Sequence, residues 1–130
     1  MIVDTSALVA VLRNEPETPE IKTALRRANS RKISAATLVE ARVVMTSKAG
    51  AVGRRHLDSL IKEAQIHVID VTPVHADLAS QAFADFGRGS GSQAKLNYGD
   101  TFSYALAAET GEELLYIGDN FTHTDLRSAL

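Results

Sequence analysis

The chain has 130 residues, of which 45% are hydrophobic and 23% charged, so it can bury the core of one self-supporting globular unit, expected as a single domain over 1–130. With no cysteine it excludes disulfides and any thiolate metal site, and a cytoplasmic setting is the default expectation. The formal net charge of −2 gives no general pull on a polyanion, so a nucleic acid would have to be met by a local basic surface or through a metal.

Met1 to Asp4 reads as a buried strand, and Thr5 or Ser6 can cap the helix that Ala7 to Leu12 continues. This start has neither a basic leader nor an apolar run, and nowhere do ~18 apolar residues follow one another, so no secretion and no membrane span are expected. Thr18-Pro19-Glu20 opens a second helix with Ile21, Ala24, Leu25 and Ala28 on its apolar face, ended by Asn29-Ser30. Lys32 to Ala35 is a short strand. Thr37-Leu38-Val39-Glu40 then starts a helix that runs to Met45 and stops at Ala49-Gly50, and a further helix covers Val52 to Ala64. Ile66 to Val71 is a third strand, followed by a helix from Thr72-Pro73 through Ala79, Ala82 and Phe86 to Gly87. The Gly-Ser run from Gly87 to Ser92 cannot pack a core and predicts a mobile surface loop. Tyr98 to Thr110 is a helix stopped by Gly111, and Leu114 to Ile117 gives the last strand signal. Helix-linked strands in alternation imply an α/β fold with a central, mostly parallel sheet of four to five strands flanked by helices.

Asp4, Glu40, Asp100 and Asp119 each stand where a strand should give way to a helix, which in a parallel α/β sheet is one edge. Carboxylates gathered there repel one another and destabilise the fold unless a cation is bound, and hard oxygen ligands suit Mg²⁺ or Mn²⁺. Each acid also has a local explanation: helix entry for Asp4, a Thr37-x-x-Glu40 capping box, a helix cap for Asp100, and the turn Gly118-Asp119-Asn120. Separate caps and turns have no reason to share one edge, whereas a ligand cluster requires it. His56, His67, His75 and His123 show no metal spacing, and no G-x-S-x-G elbow exists. Gly87, Gly89 and Gly91 follow a helix and lack the Gly-Lys-Ser/Thr of a phosphate loop. Arg88 and Lys95 flank that loop near Asp100 and could reach a phosphodiester backbone.

Four motifs carry a resemblance: Ile2-Val3-Asp4-Thr5-Ser6-Ala7-Leu8; the Glu40 helix; Asn97-Tyr98-Gly99-Asp100 with Phe102-Ser103-Tyr104-Ala105-Leu106-Ala107; and Leu114-Leu115-Tyr116-Ile117-Gly118-Asp119. Together they resemble the PIN-domain ribonucleases, specifically the VapC toxins of VapBC toxin-antitoxin pairs, over nearly the whole chain. The resemblance implies a PIN-like fold and a Mg²⁺- or Mn²⁺-dependent endoribonuclease that acts on RNA, forms a homodimer and is silenced by a VapB-type antitoxin. It implies Asp4, Glu40 and Asp100 as the acidic core, with Thr5 or Ser6 supporting the site beside Asp4. The family's fourth acid commonly precedes the position of Phe121, where this chain has Asn120. Either Asp119 swings in, Asn120 contributes a neutral oxygen, or a second metal is weakly held; Asp119 is the favoured expectation. Two rival readings remain. One is a haloacid-dehalogenase-like phosphatase with Asp4 as nucleophile, although Ser6 stands where that family has a second Asp. The other is a degenerate PIN domain that only binds RNA or a protein partner.

Overall fold

The computed structural model describes all residues 1–130 and is built on four short parallel strands, β1 (Ile2–Val3), β2 (Arg31–Ser34), β3 (Ile66–Ile69) and β4 (Leu114–Leu115). Their order across the sheet is β3-β2-β1-β4, with Ile2 in register with Lys32 on one side and Leu114 on the other. Five helices flank it: α1 (Thr5–Leu12), α2 (Thr18–Arg27), α3 (Ala35–Glu63), α4 (Pro73–Phe86) and α5 (Tyr98–Thr110). The sheet is therefore at the lower end of the expected strand number and wholly parallel.

Because side chains alternate along a strand, the two central strands feed two cores. Val3 and Leu115 point into a cluster with Leu8, Ile33, Met45 and Leu57, under α1, α2 and α3. Ile2 and Leu114 point the other way, into a cluster with Ala82, Leu96, Leu106 and Phe121, under α4 and α5. All four of these strand residues are fully buried, so they read as continuous apolar pairs without polar alternation, as strands covered on both faces must.

The amino edge of the sheet is tied by charge. Glu112, just before β4, pairs with both the chain's α-amino group and Lys32 on β2, while the amino group also donates to the Ser30 carbonyl at 3.0 Å. Burial pushes the Glu112 carboxyl up, but the hydrogen bonds from Lys32 and the amino group hold it below its ordinary value. The opposite, carboxyl edge is left for chemistry. At the far side of β4 the C-terminal segment folds back, with Leu114 N–H donating to the Arg127 carbonyl and Ala129 N–H to the Leu114 carbonyl, so that Ser128 bridges the strand.

Several local expectations shift. Helix α1 is capped by Asp4 itself, whose side chain accepts from Ser6 N–H, and Thr5 and Ser6 already lie inside the helix. Helix α3 starts at Ala35 under a Ser34 cap, three residues earlier than Thr37 suggested. Glu40 is therefore in the second turn and the Thr37-Glu40 capping box does not form. Ala49 and Gly50 mark a kink inside α3 and do not end it; Gly50 has φ 61 and the helix resumes beyond it. The Gly-Ser loop is anchored by a parallel bridge between Gly87 and Leu96, with Arg88 N–H donating to the Leu96 carbonyl and Leu96 N–H to the Phe86 carbonyl. Ala94 and Leu96 are buried beneath it. No helix is long and apolar enough to cross a membrane.

Leu8 is 1% exposed and joins α1 to the core under the acidic edge. Leu8→Ala is expected to lower unfolding free energy by about 3 kcal/mol in urea denaturation, through lost burial and the cavity left behind.

Candidate active site

Asp4 leaves β1 in extended conformation and caps α1, which places its carboxylate at the carboxyl edge of the sheet. Both of its oxygens are engaged although the residue is only 3% exposed. Oδ2 accepts from Ser6 N–H at 2.9 Å and Ser6 Oγ at 2.7 Å, and Oδ1 accepts from Ser103 Oγ at 2.6 Å. With Ser103 donating to Asp4, its 3.1 Å partner Thr37 Oγ1 must be the donor to Ser103, and Thr5 Oγ1 donates in turn to the Thr37 carbonyl at 3.3 Å. This relay of buried hydroxyls ties α1, α3 and α5 to a single carboxylate. Ser6 Oγ also accepts from Ile117 N–H at 3.0 Å, which fastens the segment after β4 to the same point.

Asp100 comes from the first turn of α5. Asn97 caps the helix, and the two form a reciprocal capping box: Asp100 N–H donates to Asn97 Oδ1 and Asn97 N–H to Asp100 Oδ2, both at 2.9 Å. The same Oδ2 accepts from Asn120 Nδ2 at 2.9 Å. Burial raises the Asp100 carboxyl above its ordinary value, and the charge of Asp4 adds to this; the bonds from Asn97 and Asn120 and the Arg88 guanidinium work against it.

Glu40 approaches from the second turn of α3 and is half-buried. Its carboxyl is also raised, first by burial and then by the charges of Asp4 and Asp100, with the Thr5 hydroxyl acting the other way. Asp4, Glu40 and Asp100 line one cleft of about 420 Å³ together with the Thr5 and Ser6 hydroxyls. They gather in it without closing on a single point as a preassembled ion cage would.

Asp119 lies elsewhere. Gly118, at φ 94, turns the chain so that Asp119 is exposed and outside the cleft lining, and the next side chain, Asn120, reaches Asp100. A one-residue difference in where a turn points is invisible in a Gly-Asp-Asn sequence. Arg88 is exposed on the loop and near enough for its charge to act on Asp100; Lys95 is exposed on the loop's return limb.

Sequence reasoning missed three participants. Ser103 and Thr37 look like ordinary helix residues, although Ser103 follows Asp100 by three positions and so shares its helix face, which was a usable signal. Glu15 also lines the cleft, brought back by the positive φ of Asn14 and a 2.9 Å bond from its N–H to the Ala10 carbonyl. No local pattern marks it.

Comparison with known proteins gives a family and a fold. A family model described as PIN domain matches residues 1–126. The chain is 48% identical over 130 residues to Ribonuclease VapC28 of Mycobacterium tuberculosis, covering 100% of this chain and 98% of that one. It is 46% identical over 129 residues to Ribonuclease VapC42 of the same organism, covering 99% and 98%. Among solved structures, Mycobacterium tuberculosis VapC20, described as a Sarcin-Ricin loop cleaving toxin, superposes with a TM-score of 0.74 at 19% identity over 96% of this chain and 95% of that one. A toxin-antitoxin complex from Klebsiella pneumoniae gives 0.68 at 17% identity over 95% and 92%.

A carboxyl raised in the folded state holds its proton more tightly there than in the unfolded chain. Stability therefore falls as pH rises from the ordinary Glu40 value of 4.5 through the raised one, and the penalty is complete above it. In the presence of chelator, Glu40→Gln is expected to melt above the parent chain at pH 7, with the gap closing as pH falls to about 4.5. Equal midpoints at neutral pH in differential scanning calorimetry would contradict this crowding of charge.

Proposed function

The chain belongs to the PIN-domain family, and on that premise we propose that it is a Mg²⁺- or Mn²⁺-dependent endoribonuclease that hydrolyses RNA phosphodiester bonds as the toxin of a type II toxin-antitoxin pair. The observation that carries this reading is the convergence of Asp4, Glu40 and Asp100, from three different elements, on one cleft where burial and mutual repulsion raise two of the three carboxyls. Negative charge held in this way disfavours the folded state, and a bound cation would relieve it. The donors are all hard oxygens, carboxylates with neighbouring hydroxyls, which fit Mg²⁺ or Mn²⁺.

A divalent ion bound there would acidify a water and offset the charge of the phosphodiester oxygens during an in-line displacement. The chain's own residues supply the rest. Asp4 and Asp100 are the principal ligands in this reading, and their hydrogen bonds to Ser6, Ser103, Asn97 and Asn120 hold them in fixed orientations. Glu40, which has no backbone bond, completes the shell. Asn120, already bonded to Asp100, takes the fourth place in preference to Asp119. Thr5 supports the arrangement through its bond to Thr37. Arg88 and Lys95 are candidates for backbone contacts that position RNA without reading its sequence.

The single unit over 1–130 would work as a homodimer. Its acidic cleft is complementary to an inserted Arg or Lys, which makes a VapB-type antitoxin carrying such a side chain the expected inhibitor. The phosphatase reading loses support because Ser6, at the position of that family's second Asp, bonds the would-be nucleophile through both its N–H and its hydroxyl. The binding-only reading draws on the neutral Asn120 and is separated by metal uptake.

Asp4→Asn or Asp100→Asn is expected to lower Mg²⁺-dependent cleavage of RNA by about 100-fold or more, and Asp100→Asn, whose amide oxygen can still accept from Asn97 N–H and Asn120 Nδ2, should leave the metal-free fold as stable as the parent. Asp119→Asn should stay within about twofold. Titration calorimetry with Mn²⁺ should give saturable heat, and its absence would favour the binding-only reading.

A further inference from the structure

We propose that Gly99 is a positioning residue whose missing side chain gives the Glu40 carboxylate its place beside Asp100. The inference rests on the reading of the cleft as an ion site. Gly99 is the second residue of α5, between the capping pair Asn97 and Asp100. A Cβ built there would overlap Glu40 Oε2 outright and lie 2.6 Å from Glu40 Cδ. The carboxylate thus rests on bare backbone of the first helical turn, in the volume that any other residue would fill.

The backbone does not itself require glycine at this position. Gly99 is not among the glycines with positive φ, and it lies in regular helix, where Ala is the better helix former. After Glu40 the nearest atom is the side-chain Oδ1 of Asn97, 3.3 Å from a Cβ, an approach relieved when that side chain gives by a few tenths of an ångström. What an added methyl cannot share is the space of Glu40, and Glu40 is the free end of a flexible side chain on a different helix. The response that costs least is for Glu40 to rotate out of the cleft while the fold stays as it is. Glycine at 99 therefore trades helix stability for the placement of one acid, and it couples α3 to α5 by contact alone, where the hydroxyl relay of Thr37 and Ser103 couples them by hydrogen bonds. Glu40 is also the site acid with no bond from a backbone amide, so the surface at Gly99 does for it what the Ser6 and Asn97 amides do for Asp4 and Asp100.

The test uses the full chain carrying Gly99→Ala, alone and in a Glu40→Gln background. The single variant should melt at or above the parent temperature in chelator, yet lose about tenfold or more in both Mn²⁺ affinity by calorimetry and Mg²⁺-dependent RNA cleavage. In the Glu40→Gln background the same change should add less than about twofold, because the group it displaces is already disabled. Gly99→Ala combined with Glu40→Asp, which shortens the acid by one methylene, should recover part of the loss. A metal-free crystal structure of Gly99→Ala should show Glu40 turned away from α5. Retention of Glu40 in place, unchanged Mn²⁺ affinity, a lowered melting temperature, or a full additional loss in the Glu40→Gln background would each overturn the proposal. A displaced Glu40 in a protein whose parent takes up no Mn²⁺ would uphold the steric role and count against the nuclease reading instead.

Discussion

Asp4 carries three donated hydrogen bonds at 3% exposure, and the geometry of the acidic edge depends on them. A carboxylate taken out of water must be repaid in donors, and here they come from the start of α1 and the middle of α5. Ser6 is fixed because it also holds Ile117, and Ser103 because it is backed by Thr37. The result is that the ends of β1 and β4, the starts of α1 and α3 and the middle of α5 cannot be moved independently. Removing the Ser103 hydroxyl would leave Thr37 and one oxygen of Asp4 without partners in a buried place, a worse outcome than replacing the whole relay with apolar groups.

The other two acids are held more loosely, and in different ways. Asp100 combines a structural duty with a place in the cleft: its Oδ2 closes the capping box of α5 and receives Asn120, while the carboxyl as a whole stays raised by burial and by Asp4. Local capping and membership of an acidic cluster are therefore not rival explanations of this residue. Glu40 has no capping duty, since α3 begins five residues before it, and its position follows from packing against α5. Asp4 is rigidly held, Asp100 is shared between two duties, and Glu40 is placed by contact, a gradation that matches their decreasing burial.

Much of the architecture was legible because the signals are local. The short apolar strands β1 and β4, the Pro-opened helices α2 and α4, and the Gly111 stop all follow from neighbouring residues, although β4 ends at Leu115, short of the Leu114 to Ile117 signal, and the alternation they create leaves few topologies. Asp4 and Asp100 could be placed on one edge for the same reason. The failures were tertiary or depended on a single turn. Ser34 and Thr37 are equally good caps in isolation, and only the docking of β2 beside β1 decides that the helix starts at the first. That Asn120 reaches Asp100 while Asp119 is exposed goes with the turn at Gly118, whose φ is 94. Glu15 and the anchoring of the Gly-Ser loop by Leu96 depend on chain segments meeting across the fold, which no window of sequence contains.

The doubling back of residues 127–129 along β4 has a consequence for how this sheet meets other chains. A two-residue outer strand would otherwise offer unpaired amides and carbonyls as a template, and that side is shut by the protein's own tail. On the other side, β3 presents His67 and Val68 to solvent with β2 as its only strand partner. Edge-to-edge assembly can therefore extend the ladder in one direction only, so it would end at a pair of molecules and not grow into a fibre.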